Sequence, residues 1–382
     1  MISPDFFYNS LKKVGINFIA GVPDSLLKEF CKYADICLPK EKHVITTSEG
    51  AAVSLATGVY LATGDISLVY LQNSGLGNAV NPLLSLADPE VYGVPMVLMV
   101  GWRGNPNIKN FKDEPQHVKQ GRVTPGMLEA MEVPYQILSL DPVKAKEQAE
   151  WASSEAKNIG GPVVILVTKD TFSKSDLDQK EEQKNIEVNL TREEVIKYIT
   201  SNIPKNSFII SSTGMISREL YESRENFNQE HTQDFLTVGS MGFASQIALG
   251  ISLSKPEKDI ICLDGDGAAL MHLGGMASIG TSDAKKYKHI LLNNGVHDSV
   301  GGQPTLGLDI SFTKIAEACG YKKIIGPIFT LDNIKNGIEE MFNSQGPSFM
   351  EIHIIPGARK NLGRPKESPK QNKELFINCL RK

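Results

Sequence analysis

Short runs that are apolar at successive positions, separated by helix-length segments, constrain this chain more than any other feature. In the first half they are Phe18-Ile19-Ala20, His43-Val44-Ile45, Ile66 to Leu71, Pro95 to Val100 and Val163 to Val167. A strand with one face in water alternates apolar and polar residues, whereas a parallel strand covered by helices on both faces does not. The runs therefore predict parallel strands, and the segments between them predict the crossover helices that parallel pairing requires. Ser3-Pro4-Asp5, just before Phe6-Phe7-Tyr8, supplies a helix start at the head of the series. The pattern stops at Asp170 to Glu187, where nine of eighteen residues are charged, which marks a linker. It then resumes with a helix from Arg192 to Thr200 and strands at Phe208 to Ile210, Ile260 to Leu263, His289 to Leu292 and Ser348 to Ile355. The expected fold is α/β, with two doubly wound parallel-sheet domains at residues 1–170 and 191–382 and a charged linker at 171–190. Ligands of such sheets collect beyond the carboxyl ends of strands, so the loops after Ala20, Leu71, Leu263 and Leu292 are the places to search.

Composition removes several classes of function. With 40 Lys and Arg against 44 Asp and Glu the formal charge is −4, which disfavours nucleic acid as a partner. The longest apolar runs fall far short of the roughly 20 residues that span a bilayer. The N-terminus has no basic segment followed by an apolar core, so a cytoplasmic location without a membrane partner is expected. The cysteines, Cys31, Cys37, Cys262, Cys319 and Cys379, form neither a CxxC nor a metal-ligand spacing and predict reduced thiols.

The run Ile260 to Leu263 leads into Asp264-Gly265-Asp266-Gly267-Ala268. Glycines on either side of Asp266 let backbone approach a ligand while one carboxylate is aimed outward, although an Asp-Gly pair also serves a plain tight turn. A second apolar run ends in Asn293-Asn294-Gly295, and the 28 positions from Asp266 to Asn294 leave room for one crossover helix, Leu270 to about Thr281. A carboxylate, an amide oxygen and a carbonyl of the following turn form a hard-oxygen set suited to Mg²⁺ beside phosphate oxygens. Upstream, Glu49 opens a small-residue helix, Ala51 to Ala62. There it either complements the helix dipole or, if buried, shares a proton with a ring nitrogen.

Gly265-Asp266-Gly267 followed by Asn293-Asn294 resembles the fingerprint of the thiamine diphosphate-dependent enzymes, and Ser48-Glu49-Gly50-Ala51-Ala52 resembles their activating-acid segment. The resemblance implies Mg²⁺ held by Asp266, Asn294 and the carbonyl of Val296, and cofactor contacts at Gly265, Gly267 and Ala268. It implies that Glu49 protonates the cofactor's pyrimidine ring. In Val238-Gly239-Ser240-Met241-Gly242 it implies that Met241 bends the cofactor and the Gly239 carbonyl receives the pyrimidine amino group. A Gly-rich strand-to-helix turn is the plain alternative. Glu49 and the metal residues fall in different halves, a pyrimidine-binding and a diphosphate-binding domain, so a homodimer or higher homo-oligomer with cofactor at the subunit interface is implied.

The chain has no room for the central domain of the larger decarboxylases, and the resemblance narrows to the two-domain branch. Gly21-Val22-Pro23-Asp24-Ser25, Gly101-Trp102-Arg103-Gly104, Lys112 to Arg122, Ser217-Arg218-Glu219-Leu220, Gly301-Gly302-Gln303-Pro304-Thr305 and Leu362-Gly363-Arg364-Pro365 carry it. It implies a carboxy-lyase acting on 3-phosphonopyruvate to give phosphonoacetaldehyde and carbon dioxide, with sulfopyruvate or another 2-oxo acid as the alternative. Asp24 and His117 are the expected proton-transfer groups, with Asp24, Ser25, Arg103, His117, Lys119 and Arg122 as the substrate-binding set. Asp24 equally suits the cap of a helix Ser25 to Cys31. His117 is expected in a polar loop, and Lys285, Lys286 and Lys288 at the end of a helix. Asp298 to Gly302 stand where three-domain decarboxylases carry a Glu, so the group that protonates the product is left open. A nucleotide-binding dehydrogenase is disfavoured, because Gly21-Val22-Pro23-Asp24 replaces the GxGxxG turn. A non-catalytic binding subunit sits poorly with Glu49, Asp266 and Asn294 together.

Overall fold

A computed structural model describes residues 1–108, 113–175, 177 and 188–382. Most of the expected linker (176 and 178–187), and Lys112 of the Lys112 to Arg122 segment, lie outside the described residues. The chain divides into two compact units, Met1–Glu182 and Gln183–Lys382.

The first unit contains strands β1 (Phe18–Gly21), β2 (His43–Ile45), β3 (Ser67–Gln72), β4 (Met96–Gly101), β5 (Tyr135–Ile137) and β6 (Pro162–Val167). They form one sheet in the order β2-β1-β3-β4-β6-β5, every neighbour parallel. The second unit contains β7 (Phe208–Ser211), β8 (Asp234–Leu236), β9 (Ile260–Gly265), β10 (Tyr287–Asn293), the hairpin strands β11 (Val296–His297) and β12 (Gln303–Pro304), β13 (Lys323–Ile328) and β14 (Ser348–His353). Its parallel sheet runs β13-β14-β10-β9-β7-β8. The fold is thus α/β with two doubly wound parallel sheets, as the apolar runs require. No helix among the described residues is long and apolar enough to cross a membrane.

Successive residues of a strand point to opposite faces, and here both faces are buried. Leu68, Tyr70, Val97, Met99 and Ile165 pack on one side of the first sheet, and Val69, Leu71, Leu98, Val100 and Leu166 on the other. Each such side chain contributes roughly 1.5–3 kcal/mol on burial. The strands of the two parallel sheets that hydrophobic runs did not reveal, β5, β8 and β13, are all sheet edges. An edge strand is covered less completely, so its sequence need not be uniformly apolar.

The order reverses between β1 and β3 in one sheet and between β7 and β9 in the other, which creates a crevice at the carboxyl ends of each pair. Three local expectations are corrected. The single crossover helix Leu270 to Thr281 is replaced by two short helices, Asp266–Met271 and Gly275–Gly280, interrupted at His272 and Gly274. The helix after Asp24 spans Lys28–Cys37 and not Ser25 to Cys31, because Asp24 receives the Leu26 N–H at 2.9 Å and holds a turn there first. The three lysines do not end a helix: Lys288 is buried in β10 and donates its Nζ to the Ser344 carbonyl at 3.0 Å.

Candidate active site

In the second unit, β9 and β10 pair in parallel with Gly265 opposite Leu292, so Asp266 and Asn294 leave adjacent strand ends side by side. Asp266 opens the helix Asp266–Met271 and is 2% exposed. Its carboxylate accepts from the Thr305 hydroxyl and the Asn294 backbone N–H, and burial pushes its pKa up to about 6. Residue 307 is glycine for lack of room: a Cβ there would stand 2.5 Å from Asp266 Oδ2 and 2.7 Å from Asn293 Oδ1.

The two asparagines differ in use. Asn293 is wholly buried and donates to the Gly307 carbonyl at 2.8 Å and to Glu351 at 2.9 Å. Asn294 places Nδ2 2.7 Å from Asp298 Oδ2, and its Oδ1 accepts from the Val296 N–H at 3.1 Å. The two aspartates differ likewise. Asp264 faces inward, accepting from the Gly265 N–H at 2.9 Å and lying 3.4 Å from the buried His289 ring.

Gly239, Ser240 and Gly242 have φ values of +70°, +47° and +86°, a backbone course that glycine favours. It brings Met241 to Gly267: a Cβ on Gly267 would lie 3.3 Å from the Met241 methyl carbon and 2.9 Å from His297 Cε1. Gly239 donates its N–H to Thr213 Oγ1 at 3.0 Å. Ala268 is buried in the same short helix as Asp266, and Gly265 ends β9. His297 is driven down to about 4 by burial and so is neutral near pH 7.

In the first unit Glu49 is the first residue of the helix Glu49–Thr63, with the Ser48 hydroxyl as its N-cap. The Glu49 side chain is buried, receives Asn78 Nδ2 on Oε2 at 2.8 Å and packs against Gly75. Burial raises its pKa, which the Asn78 hydrogen bond partly offsets.

A second group surrounds the loop after β1. Asp24 is fully buried, lies against Gly101 at the end of β4, and has one carboxylate oxygen, Oδ1, without a hydrogen-bond partner. Burial pushes it up to about 6. Arg103 donates to Ser25 Oγ at 2.7 Å and to both carboxylate oxygens of Asp113, one at 2.8 Å. Asp113 also receives the N–H groups of Gly104 and Glu114, and although burial opposes it, the Arg103 pairing holds the acid below its ordinary value.

His117 departs from expectation. It lies on the helix Pro115–Ala130 instead of a loop and is 7% exposed, with Nδ1 buried and unpartnered. Burial, aided by the Arg103 charge, lowers it to about 4. The helix lacks an apolar stripe and carries Pro115, Gly121 and Pro125, which conceals it in the sequence. Trp102 anchors it by donating its indole N–H to the Gly121 carbonyl at 2.7 Å. Thus Asp24, Ser25, Arg103 and His117 come together. Lys119 and Arg122 lie exposed on the same helix, and among the described residues no hydrogen bond or ion pair ties them to that group.

Sequence reasoning assigned no role to Asn78, Gly75, Asp113 or Thr305, each of which orients or makes room for a predicted residue. The basic stretch after Arg359 turns back on its own unit: Arg359 pairs with Glu193 and Glu222, and Lys366 with Glu225.

Comparison with known proteins follows these divisions. The N-terminal TPP binding domain of thiamine pyrophosphate enzymes matches residues 4–125, and the C-terminal TPP binding domain matches residues 212–352. The chain is 31% identical to a phosphonopyruvate decarboxylase of Streptomyces viridochromogenes, covering 96% of this chain and 92% of that protein. It is 31% identical to a phosphonopyruvate decarboxylase of Streptomyces hygroscopicus, covering 98% and 93%. It is 27% identical to a sulfopyruvate decarboxylase of Methanosarcina acetivorans, covering 97% and 95%.

Proposed function

The chain belongs to the thiamine pyrophosphate enzymes, in the group that contains the phosphonopyruvate and sulfopyruvate decarboxylases, and from that membership we propose that it removes carbon dioxide from 3-phosphonopyruvate to yield phosphonoacetaldehyde. It is a thiamine diphosphate-dependent decarboxylase, a carboxy-lyase. The proposal assigns residues 1–170 to the pyrimidine end of the cofactor and 191–382 to its diphosphate end, and places the enzyme in the cytoplasm.

The residues present fit such a cofactor. Asp266, Asn294 and the Val296 carbonyl offer only hard oxygens, the set a Mg²⁺ ion takes beside phosphate. Gly267, Met241 and His297 converge where an extra methyl group would collide, so close approach is built into the backbone. Thiamine diphosphate, when bound, supplies a nucleophilic carbon for the 2-keto group and a sink for the electron pair released with carbon dioxide.

The protein's own groups do the rest. Glu49, raised by burial, holds and moves a proton at its carboxylate against Asn78. Met241 and the Gly239 carbonyl would hold the cofactor's pyrimidine end, and Gly265, Gly267 and Ala268 would leave room for its diphosphate. Asp24 and His117 bind the substrate carboxylate and carry protons at Oδ1 and Nδ1, the two atoms of this group that lack a protein partner. Arg103, oriented by Asp113 and Ser25, meets the phosphonate with a planar fork of donors. Lys119 and Arg122 add positive charge at the approach. A proton takes the place of the departing carboxylate on the 2-carbon, and the aldehyde leaves. Since the acid is in one unit and the metal donors in the other, the reading calls for a homodimer or higher homo-oligomer that completes each site.

The meeting of Asp266 and Asn294 at adjacent strand ends is the observation that carries this reading. A second reading keeps the mechanism and exchanges phosphonate for sulfonate, favoured by the likeness to a sulfopyruvate decarboxylase along nearly the whole chain. Comparing kcat/KM for the two 2-oxo acids, with thiamine diphosphate and Mg²⁺ supplied, decides between them. A larger value for phosphonopyruvate supports the proposal, and a larger one for sulfopyruvate transfers it to the second reading.

A further inference from the structure

Asp298 stands four residues beyond Asn294, on the turn that joins β11 to β12. Its Oδ2 receives the Asn294 side-chain amide at 2.7 Å and the Arg192 guanidinium at 2.7 Å. The Gly357 N–H lies 3.0 Å from Oδ1 and 3.2 Å from Oδ2. Arg192 is itself fixed, buried and bound to both oxygens of Glu219 at 2.7 and 3.1 Å, with a further bond to the Gly357 carbonyl at 3.1 Å. The Asp298 carboxylate is therefore held from Arg192 and Gly357 while it faces Asn294. None of the roles proposed above uses it.

An asparagine side chain has two ends of equal size and opposite hydrogen-bond character, and only the oxygen end serves a hard cation. An ionised carboxylate accepts and cannot donate, so it tolerates the NH₂ end of Asn294 and repels the oxygen. The reversed amide would set two oxygens against each other at hydrogen-bond distance inside a buried site. With Nδ2 committed to Asp298, Oδ1 accepts the Val296 N–H at 3.1 Å and keeps its second lone pair for a cation. We infer that Asp298 is a positioning residue that locks the Asn294 amide with its oxygen toward the metal, and that Arg192 and the Gly357 N–H hold Asp298 for that task. The inference rests on the reading of Asn294 as a metal ligand.

Partners behind a metal ligand typically account for about 10–100-fold in metal affinity. The test is a Mg²⁺ titration of thiamine diphosphate binding, followed by calorimetry, on the full-length protein and on Asp298→Ala, Asp298→Asn and Asn294→Ala. Asp298→Ala is expected to raise the half-saturating Mg²⁺ concentration about 10–100-fold, with binding recovered at saturating metal. Asp298→Asn keeps the shape and loses the charge, so it is expected to shift the same way by less, with its metal-free melting temperature within a few degrees of the parent. It also decides the matter if the alanine variant fails to fold. Half-saturation within twofold of the parent in the Asp298 variants, while Asn294→Ala raises it, overturns the inference and leaves the metal site standing. No change in Asn294→Ala removes the metal-site reading and this inference with it.

Discussion

The carboxylate of Glu49 occupies the space that a methyl group on Gly75 would need. Gly75 has an ordinary φ of −78°, so glycine stands there for room and not for conformational freedom. Gly75→Ala is therefore expected to displace the Glu49 carboxylate from Asn78 while leaving the backbone unstrained. Overpacking of this kind costs about 1–3 kcal/mol, a change in melting temperature that the fold survives. Turnover is expected to fall at least as far as in Asn78→Ala. Parental turnover in Gly75→Ala would show that the position of Glu49 is immaterial.

Glu49→Gln keeps the shape and removes the movable proton. General acid–base groups contribute about 10²–10⁴-fold, so kcat is expected to drop by that order with thiamine diphosphate affinity within a few fold of the parent. Single-turnover kinetics with a separate binding isotherm distinguishes the two effects. Equal losses in both would make Glu49 a binding residue.

Burial pushes the Asp266 carboxyl up from its ordinary 3.8 to about 6. In that interval the folded protein keeps a proton that the unfolded chain gives up, so metal-free stability from this group declines as pH rises through it. Binding of Mg²⁺ needs the charged form, so it strengthens as pH rises toward 6 and is level above that. The half-saturating Mg²⁺ concentration should climb roughly tenfold per pH unit below 6. A flat dependence between pH 5 and 7 contradicts the assignment.

His43 is buried, bonded to the Tyr70 hydroxyl at 2.9 Å, and lowered by burial from 6.5 to about 4. Here the unfolded state takes up the proton first. Stability from this group is present above about 6.5 and is lost as pH falls toward about 4. At pH 5 the loss is about 2 kcal/mol relative to neutral pH. Urea unfolding at pH 7.5 and 5 should show that much less pH sensitivity in His43→Gln, and an unaltered slope would refute the point.

Asp113→Asn releases Arg103 from a charged, two-oxygen partner. KM for phosphonopyruvate is expected to rise about tenfold with a smaller change in kcat, the pattern of lost uniform binding. A fall in kcat at constant KM would place Arg103 in the chemical step.

Much of this organisation was legible in the chain. Central strands buried on both faces announce themselves as apolar runs, and Asp266, Asn294 and Glu49 sit at strand ends or a helix start, in short motifs that one stretch of sequence displays. The edge strands β5, β8 and β13 were not legible, because one-sided cover imposes no uniform pattern. The roles of Gly75, Asn78, Asp113 and Thr305 were hidden for another reason. Each acts on a residue brought near by folding, as Thr305 does on Asp266 across 39 positions of chain, and no local pattern marks such a pair. His117 is expected in a loop because a helix that carries an internal proline and packs through Trp102 has no 3.6-residue apolar stripe.

The central claim is that this chain uses thiamine diphosphate and Mg²⁺ together to decarboxylate a phosphonate-bearing 2-oxo acid. Carbon dioxide release from phosphonopyruvate by protein stripped of cofactor and metal tests it most directly. The account predicts release only when both are returned, and none with either alone. No release with both present, or undiminished release with both absent, would contradict it.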